Sequence, residues 1–173
     1  MSPKPHPSPI TRHRLSAALL YWLWLPAMVI SSGLAIDLLA SQTRLTPGLG
    51  TLIGGGLLLT TGLGMIVWSS RDLARLGQGT PSPARPCRKL VTTGSYGFCR
   101  HPMFLGYDLA ALAVLLFIGS PAALLISYPA MLAWQIRFLR REEQLLARRF
   151  AGEYPAYRTK VPFLIPLWHP NLQ

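Results

Sequence analysis

Residues 94–106 read Gly-Ser-Tyr-Gly-Phe-Cys-Arg-His-Pro-Met-Phe-Leu-Gly, a polar, glycine-punctuated stretch between two long apolar regions. It brings Arg100, His101 and Pro102 to the point where the chain enters the second of those regions. A cation and an imidazole are costly to hold at the mouth of a membrane segment, so their position there points to use. It suits a site where a charged cofactor meets a lipid-soluble substrate.

Downstream, residues 103–136 carry one charge, Asp108. They are too long for one span, and Gly119-Ser120-Pro121 breaks them into a hairpin. Ser120 can cap the second helix and Pro121 suits its first turn. The expected spans there are 103–118 and 121–138, short but adequate for a bilayer. Upstream, residues 15–40 form an apolar run interrupted by Asp37, and 49–70 form a glycine-rich one. Gly50 with Gly54, and Thr60 with Gly64, make small-xxx-small pairs that let helices pack closely in lipid.

Orientation follows from the basic residues. Of 17 Lys and Arg, Arg44 alone falls in the turns on one side. The others lie in the tail, in the connection after the second span, and after residue 136, a strong positive-inside pattern. It calls for four spans with both termini cytoplasmic, as in a bacterial-type inner membrane. Residues 1–14 read as a disordered tail and 15–173 as a single domain.

Half of the 173 residues are apolar, 13% are charged and the mean hydropathy is +0.32. This balance fits a small integral membrane protein. The net charge of +11 sits in connections beside apolar runs, which suits membrane lipids as partners and excludes nucleic acid. Cys87 and Cys99 form no CxxC unit and read as reduced, space-filling thiols. The expected fold is all-α: about four transmembrane helices, a motif-bearing connection over 77–102 kept extended by Pro81, Pro83 and Pro86, and a C-terminal amphipathic helix within 139–173.

That helix places Leu139, Glu143, Leu146 and Phe150 on one face. Gly152 is expected to end it, with Tyr154, Tyr157, Val161 and Trp168 in an irregular aromatic tail. Chemistry gathers at two places. His101 is bracketed by Arg100, Tyr96, Gly94 and Gly106, and Asp108 lies seven residues on, on the same helical face. Asp108 is a functional candidate or a partner for a basic residue. Arg137, Arg141, Glu142 and Glu143 form the second group. Carboxylates bind an ammonium and arginine forks bind a carboxylate, so a zwitterionic ligand would use both. No metal set is visible, since His6, His13, His101 and His169 are scattered, and no phosphate-loop or nucleotide-fold signature occurs.

Leu90-Val91-Thr92-Thr93-Gly94-Ser95-Tyr96 followed by Arg100-His101-Pro102-Met103-Phe104-Leu105-Gly106, and then Arg141-Glu142-Glu143, Leu146, Phe150, Gly152, Tyr154, Tyr157, Val161-Pro162 and Pro166, resemble the signature of the isoprenylcysteine carboxyl methyltransferase and phospholipid methyltransferase superfamily. The resemblance covers roughly residues 77–168. It implies a membrane-embedded enzyme that uses S-adenosylmethionine and leaves S-adenosylhomocysteine. Carried over by position, Leu90, Val91, Gly94, Tyr96, Arg100, His101, Pro102 and Gly106 would line the cofactor. Glu142 or Glu143 would hold its amino group, and Arg137 or Arg141 would face the substrate, with Arg137, Arg141 and Glu142 as the catalytic candidates. Phe104 stands where the family commonly has Tyr, and Ala151 splits the usual Phe-Gly pair. The acceptor would be a lipophilic or lipidated molecule offering a carboxylate, amine or thiol. The competing readings are an NADPH-dependent reductase akin to sterol reductases and a non-enzymatic lipid-binding adaptor.

Overall fold

The computed structural model describes residues 24–79 and 87–166, and every described element is helical. The N-terminal tail, Pro81, Pro83, Pro86 and Trp168 lie outside the described residues. The helices are α1 (Leu25–Leu39), α2 (Leu49–Leu76), a single turn α3 (Ser95–Phe98), α4 (Pro102–Ile118), α5 (Tyr128–Arg149) and α6 (Tyr154–Lys160). A π-helical segment, Ala123–Ser127, leads into α5. By length and composition α2 is apolar and long enough to cross a membrane, while α1 and α4 are shorter apolar helices.

The hairpin forms where the sequence breaks. Gly119 adopts the left-handed region at φ 67, and Pro102 and Gly119 bound α4 as start and stop residues should. Ser120 Oγ accepts the Ala123 N–H at 3.1 Å, the expected cap. Asp37, buried within α1, joins it: the carboxylate accepts the Ser120 hydroxyl and, at 2.9 Å, the Ala122 N–H. The one acid in the first apolar run therefore secures the turn between the third and fourth. Ser32 and Ser127 hydroxyls meet at 3.0 Å, and Gly33 lies against Ala123, which seats α1 on the π-helical segment.

Three expectations are corrected. The second apolar helix runs past 70 to Leu76, because no breaker intervenes before Gly77, whose N–H bonds Leu73 O at 3.1 Å. Arg71, Asp72 and Arg75 therefore extend a helix instead of a loop. The tail after Gly152 is not wholly irregular, since Tyr154–Lys160 is helical with Pro155 in its first turn. Finally, the packing glycines are not those of the small-xxx-small pairs. Gly50, Gly54 and Gly64 meet nothing where a Cβ would stand. The close approaches are at Gly55, against Phe117, and at Gly62, whose Cβ would lie 2.5 Å from Gly106 O.

This contact makes a prediction for detergent-purified protein. Gly62→Leu should drive α2 from α4 and lower stability by about 1–3 kcal/mol, as overpacking does. Gly50→Leu and Gly64→Leu should stay within about 0.5 kcal/mol of the parent. Thermal unfolding of the three variants measures the difference.

Candidate functional site

The site begins with the polar stretch that precedes α4. Asp72, near the end of α2, accepts two hydrogen bonds from Ser95, 2.8 Å from its N–H and 2.7 Å from its hydroxyl. Gly94 turns the chain at φ 65 and ψ −134, a region that side chains resist. A Cβ there would also stand 2.5 Å from the Asp72 carboxylate. The segment is thereby pinned to α2. Its far end is pinned to the C-terminal chain, because Arg100 N–H donates to Pro162 O at 2.9 Å and Tyr157 hydroxyl to Tyr96 O at 2.7 Å.

Between these ties the two charged groups meet. Arg100 Nη1 lies 2.8 Å from Glu143 Oε1, with side chains only 10% and 7% exposed. His101 Nε2 approaches the same oxygen at 3.4 Å. Phe163 covers both, with Arg100 Cζ 5.5 Å from its ring centre and the His101 ring at 5.1 Å, edge to face. The Tyr154 hydroxyl sits beside Glu143 and Arg100. Beside this cluster, a groove of about 440 Å³ is lined by Arg100, Ile136, Arg158 and the chain from Val161 to Ile165.

The adjacent carboxylates are tuned in opposite directions. Burial raises Glu142 above the ordinary carboxylate range, His101 opposes that shift and Glu143 adds to it. Burial also works against ionisation of Glu143, but the His101 hydrogen bond and the charges of Arg100 and His101 outweigh it and hold its carboxyl low. The pair thus offers one committed anion and one carboxyl that gives up its proton less readily. Burial likewise raises the Cys99 thiol to about 11, which suits an inert filler.

The other residues singled out from sequence divide between frame and surface. Val91 packs on Gly77, and Leu90 joins the buried cluster of Tyr154, Tyr157 and Val161. Pro102 is fully buried in the first turn of α4. Gly106 abuts Gly62, so its missing side chain serves helix packing. Arg137 and Arg141 are exposed, and among the described residues neither forms an ion pair. Asp108 is buried and, among the described residues, takes no basic partner: Gln135 Nε2 donates to it at 2.8 Å. The roles of Asp37, Asp72, Gln135 and Phe163 were not foreseen from the sequence. The shortage of acids could have flagged the two aspartates, and a lone amide in an apolar run could have flagged Gln135. Phe163 carried no signal.

Residues 51–153 match the family model for phospholipid methyltransferase. The chain belongs to the phospholipid methyltransferase family. The match reaches from α2 past Glu142 and Glu143 and so includes Asp72, the pinned segment and the α4–α5 hairpin. The chain is similar to the protein-S-isoprenylcysteine O-methyltransferase of Schizosaccharomyces pombe, 33% identical over 78 residues. That stretch is 45% of this chain and 33% of that protein, so the chain spans about a third of the relative's length. Longer likenesses run to two metal-resistance proteins. The cobalt-zinc-cadmium resistance protein CzcN of Cupriavidus metallidurans is 31% identical over 91% of this chain and 65% of its own. The nickel-cobalt-cadmium resistance protein NccN of Alcaligenes xylosoxydans is 27% identical over 95% and 70%. The family indicates a membrane methyltransferase.

Removing the shared anion should be costly. Glu143→Gln strands Arg100 in a buried setting, and the expected loss is about 3 kcal/mol. Glu143→Leu combined with Arg100→Met should lose less than Glu143→Gln alone. The lowered Glu143 carboxyl also sets a pH dependence. Its contribution is present above the ordinary carboxylate range and lost as pH falls through its depressed folded value. Thermal unfolding across acidic pH should show that loss in the parent and a flatter profile in Glu143→Gln.

Proposed function

We propose that this chain is an integral membrane methyltransferase that takes the methyl group of S-adenosylmethionine and delivers it to a lipophilic acceptor. The observation that carries the reading is the shared contact of Arg100 and His101 with Glu143, which brings the segment before α4 and the C-terminal half of α5 to one point. We read four spans, both termini cytoplasmic, and the site at the inner surface, as the distribution of Lys and Arg favours. The chemistry of the donors fits the cofactor. Two adjacent carboxylates suit an ammonium group, and the buried Arg100 Nε, which has no hydrogen-bond acceptor among the described residues, suits a carboxylate.

Bound S-adenosylmethionine would supply an electrophilic methyl on a sulfonium. The protein's part is alignment and dryness. Glu142 and Glu143 hold the cationic end, and Arg100 and His101 fix the other side of the cleft. Phe163 and the chain from Val161 to Ile165 shield it from water. Leu90, Val91, Gly94, Tyr96, Pro102 and Gly106 set the shape of that wall. Arg137 or Arg141, exposed where the proposed fourth span ends within α5, draws an anionic acceptor toward the site. A carboxylate or thiolate acceptor needs no base there, whereas an amine needs a proton acceptor, and Glu142 is suited to that task.

The names of the two longest relatives state metal resistance. The family match favours methylation for this chain.

Calorimetry on protein in nanodiscs tests it. S-adenosylmethionine should bind saturably, and His101→Ala and Glu142→Gln should each weaken it at least tenfold while thermal unfolding stays cooperative. Because burial raises the Glu142 carboxyl, binding of a cation beside it at mildly acidic pH should release protons. The apparent enthalpy should then vary with buffer ionisation enthalpy, and Glu142→Gln should abolish that dependence. Saturable NADPH binding without S-adenosylmethionine binding would support the reductase reading instead.

A further inference from the structure

Helices α4 and α5 face each other in three layers. At the cytoplasmic end, in the orientation proposed above, His101 Nε2 lies 3.4 Å from Glu143 Oε1. Next, the Phe104 and Phe138 rings stand 6.3 Å apart. Deeper, Gln135 donates to Asp108 Oδ2 at 2.8 Å. The partners step oppositely along two antiparallel helices, so the layers form one continuous seam. Beside the middle layer, Trp134 stacks on Phe138 with ring centres 6.0 Å apart. Both rings are about half exposed, which leaves an apolar flank between the seam and lipid.

The deepest layer is incomplete. Asp108 is 5% exposed, and its Oδ1 is buried with no hydrogen-bond partner among the described residues. Ionised, this carboxyl lacks a cation. Protonated at that oxygen, it lacks an acceptor. Either form is costly inside a bundle of apolar helices. The reaction proposed above makes no use of it, and the bond from Gln135 occupies only its other oxygen.

We infer that Asp108 is a specificity-determining residue of the acceptor site, and that its free oxygen receives a hydrogen-bond donor carried by the acceptor at a distance from the methylated atom. His101 and Asp108 are two helical turns apart, about 10 Å at 1.5 Å per residue. The acceptor class that fits is a lipophilic molecule polar at both ends. One end reaches the charged layer, an apolar middle lies against Phe104 and Phe138, and an ammonium or hydroxyl group meets Asp108. Gln135 is a positioning residue that orients the carboxyl. The inference rests on the methyltransferase reading for the role of the first layer, but the binding preference it states does not require methyl transfer.

The test uses full-length protein in nanodiscs and radiolabelled probes. 1,8-Diaminooctane is compared with octylamine, and 1,8-octanediol with 1-octanol, each corrected for partition into empty nanodiscs. The expected result is saturable binding of at least one two-ended probe at least tenfold tighter than its one-ended partner. That preference should disappear in Asp108→Leu, while S-adenosylmethionine affinity stays within twofold of the parent. Preference for the diamine alone identifies an ammonium, and preference for the diol alone a hydroxyl. The inference is overturned if the parent shows no preference in either pair, a result that needs no variant, or if Asp108→Leu keeps it. Loss of S-adenosylmethionine binding by the parent would instead overturn the methyltransferase reading.

Discussion

Glu143 is the constraint on which the site depends. It sits on the buried face of α5 and reaches two consecutive residues, Arg100 and His101, that begin another helix. Charge burial is costly unless partners are close and fixed. Here they are fixed from three directions. The segment is tied to α2 through Asp72 and Ser95, to the C-terminal chain through Arg100 N–H and Pro162, and to α6 through Tyr157 and Tyr96. These bonds commit backbone as well as side chains, which keeps the cluster in one arrangement.

The same economy governs the rest of the chain. There are six acidic residues, and four of them join distant segments. Asp37 holds the turn at Ser120, Asp72 holds Ser95, Asp108 holds Gln135 and Glu143 holds Arg100. In water such pairs are worth little. Among apolar helices an unmatched acid is expensive, so each one specifies a register that greasy contacts leave open. Helix packing then turns on a few close approaches, such as Gly62 against Gly106.

Much of this was legible in the sequence. The turn at Gly119-Ser120-Pro121, the buried stripe through Leu139 and Glu143, and the importance of Arg100 and His101 follow from capping chemistry, helical period and the cost of charge near lipid. What escaped was long-range pairing. Nothing local says that Asp37 caps a turn over eighty residues away, or that Phe163 covers His101. The glycines misled for a related reason. Their spacing marks a face where helices can approach, but which face does so depends on a partner helix elsewhere in the chain. Gly94 and Gly106, expected to line the cofactor, also make close approaches to Asp72 and Gly62. Arg137 and Arg141, read as facing the reaction, lie at the surface.

The central claim is that the segment before α4 and the C-terminal half of α5 form the two sides of one grip. Hydrogen–deuterium exchange on the nanodisc-embedded protein, with and without saturating S-adenosylmethionine, tests it most directly. The account predicts that protection rises together in residues 94–102 and 139–150, in proportion to occupancy. Protection confined to one of these segments, or to neither, would contradict it.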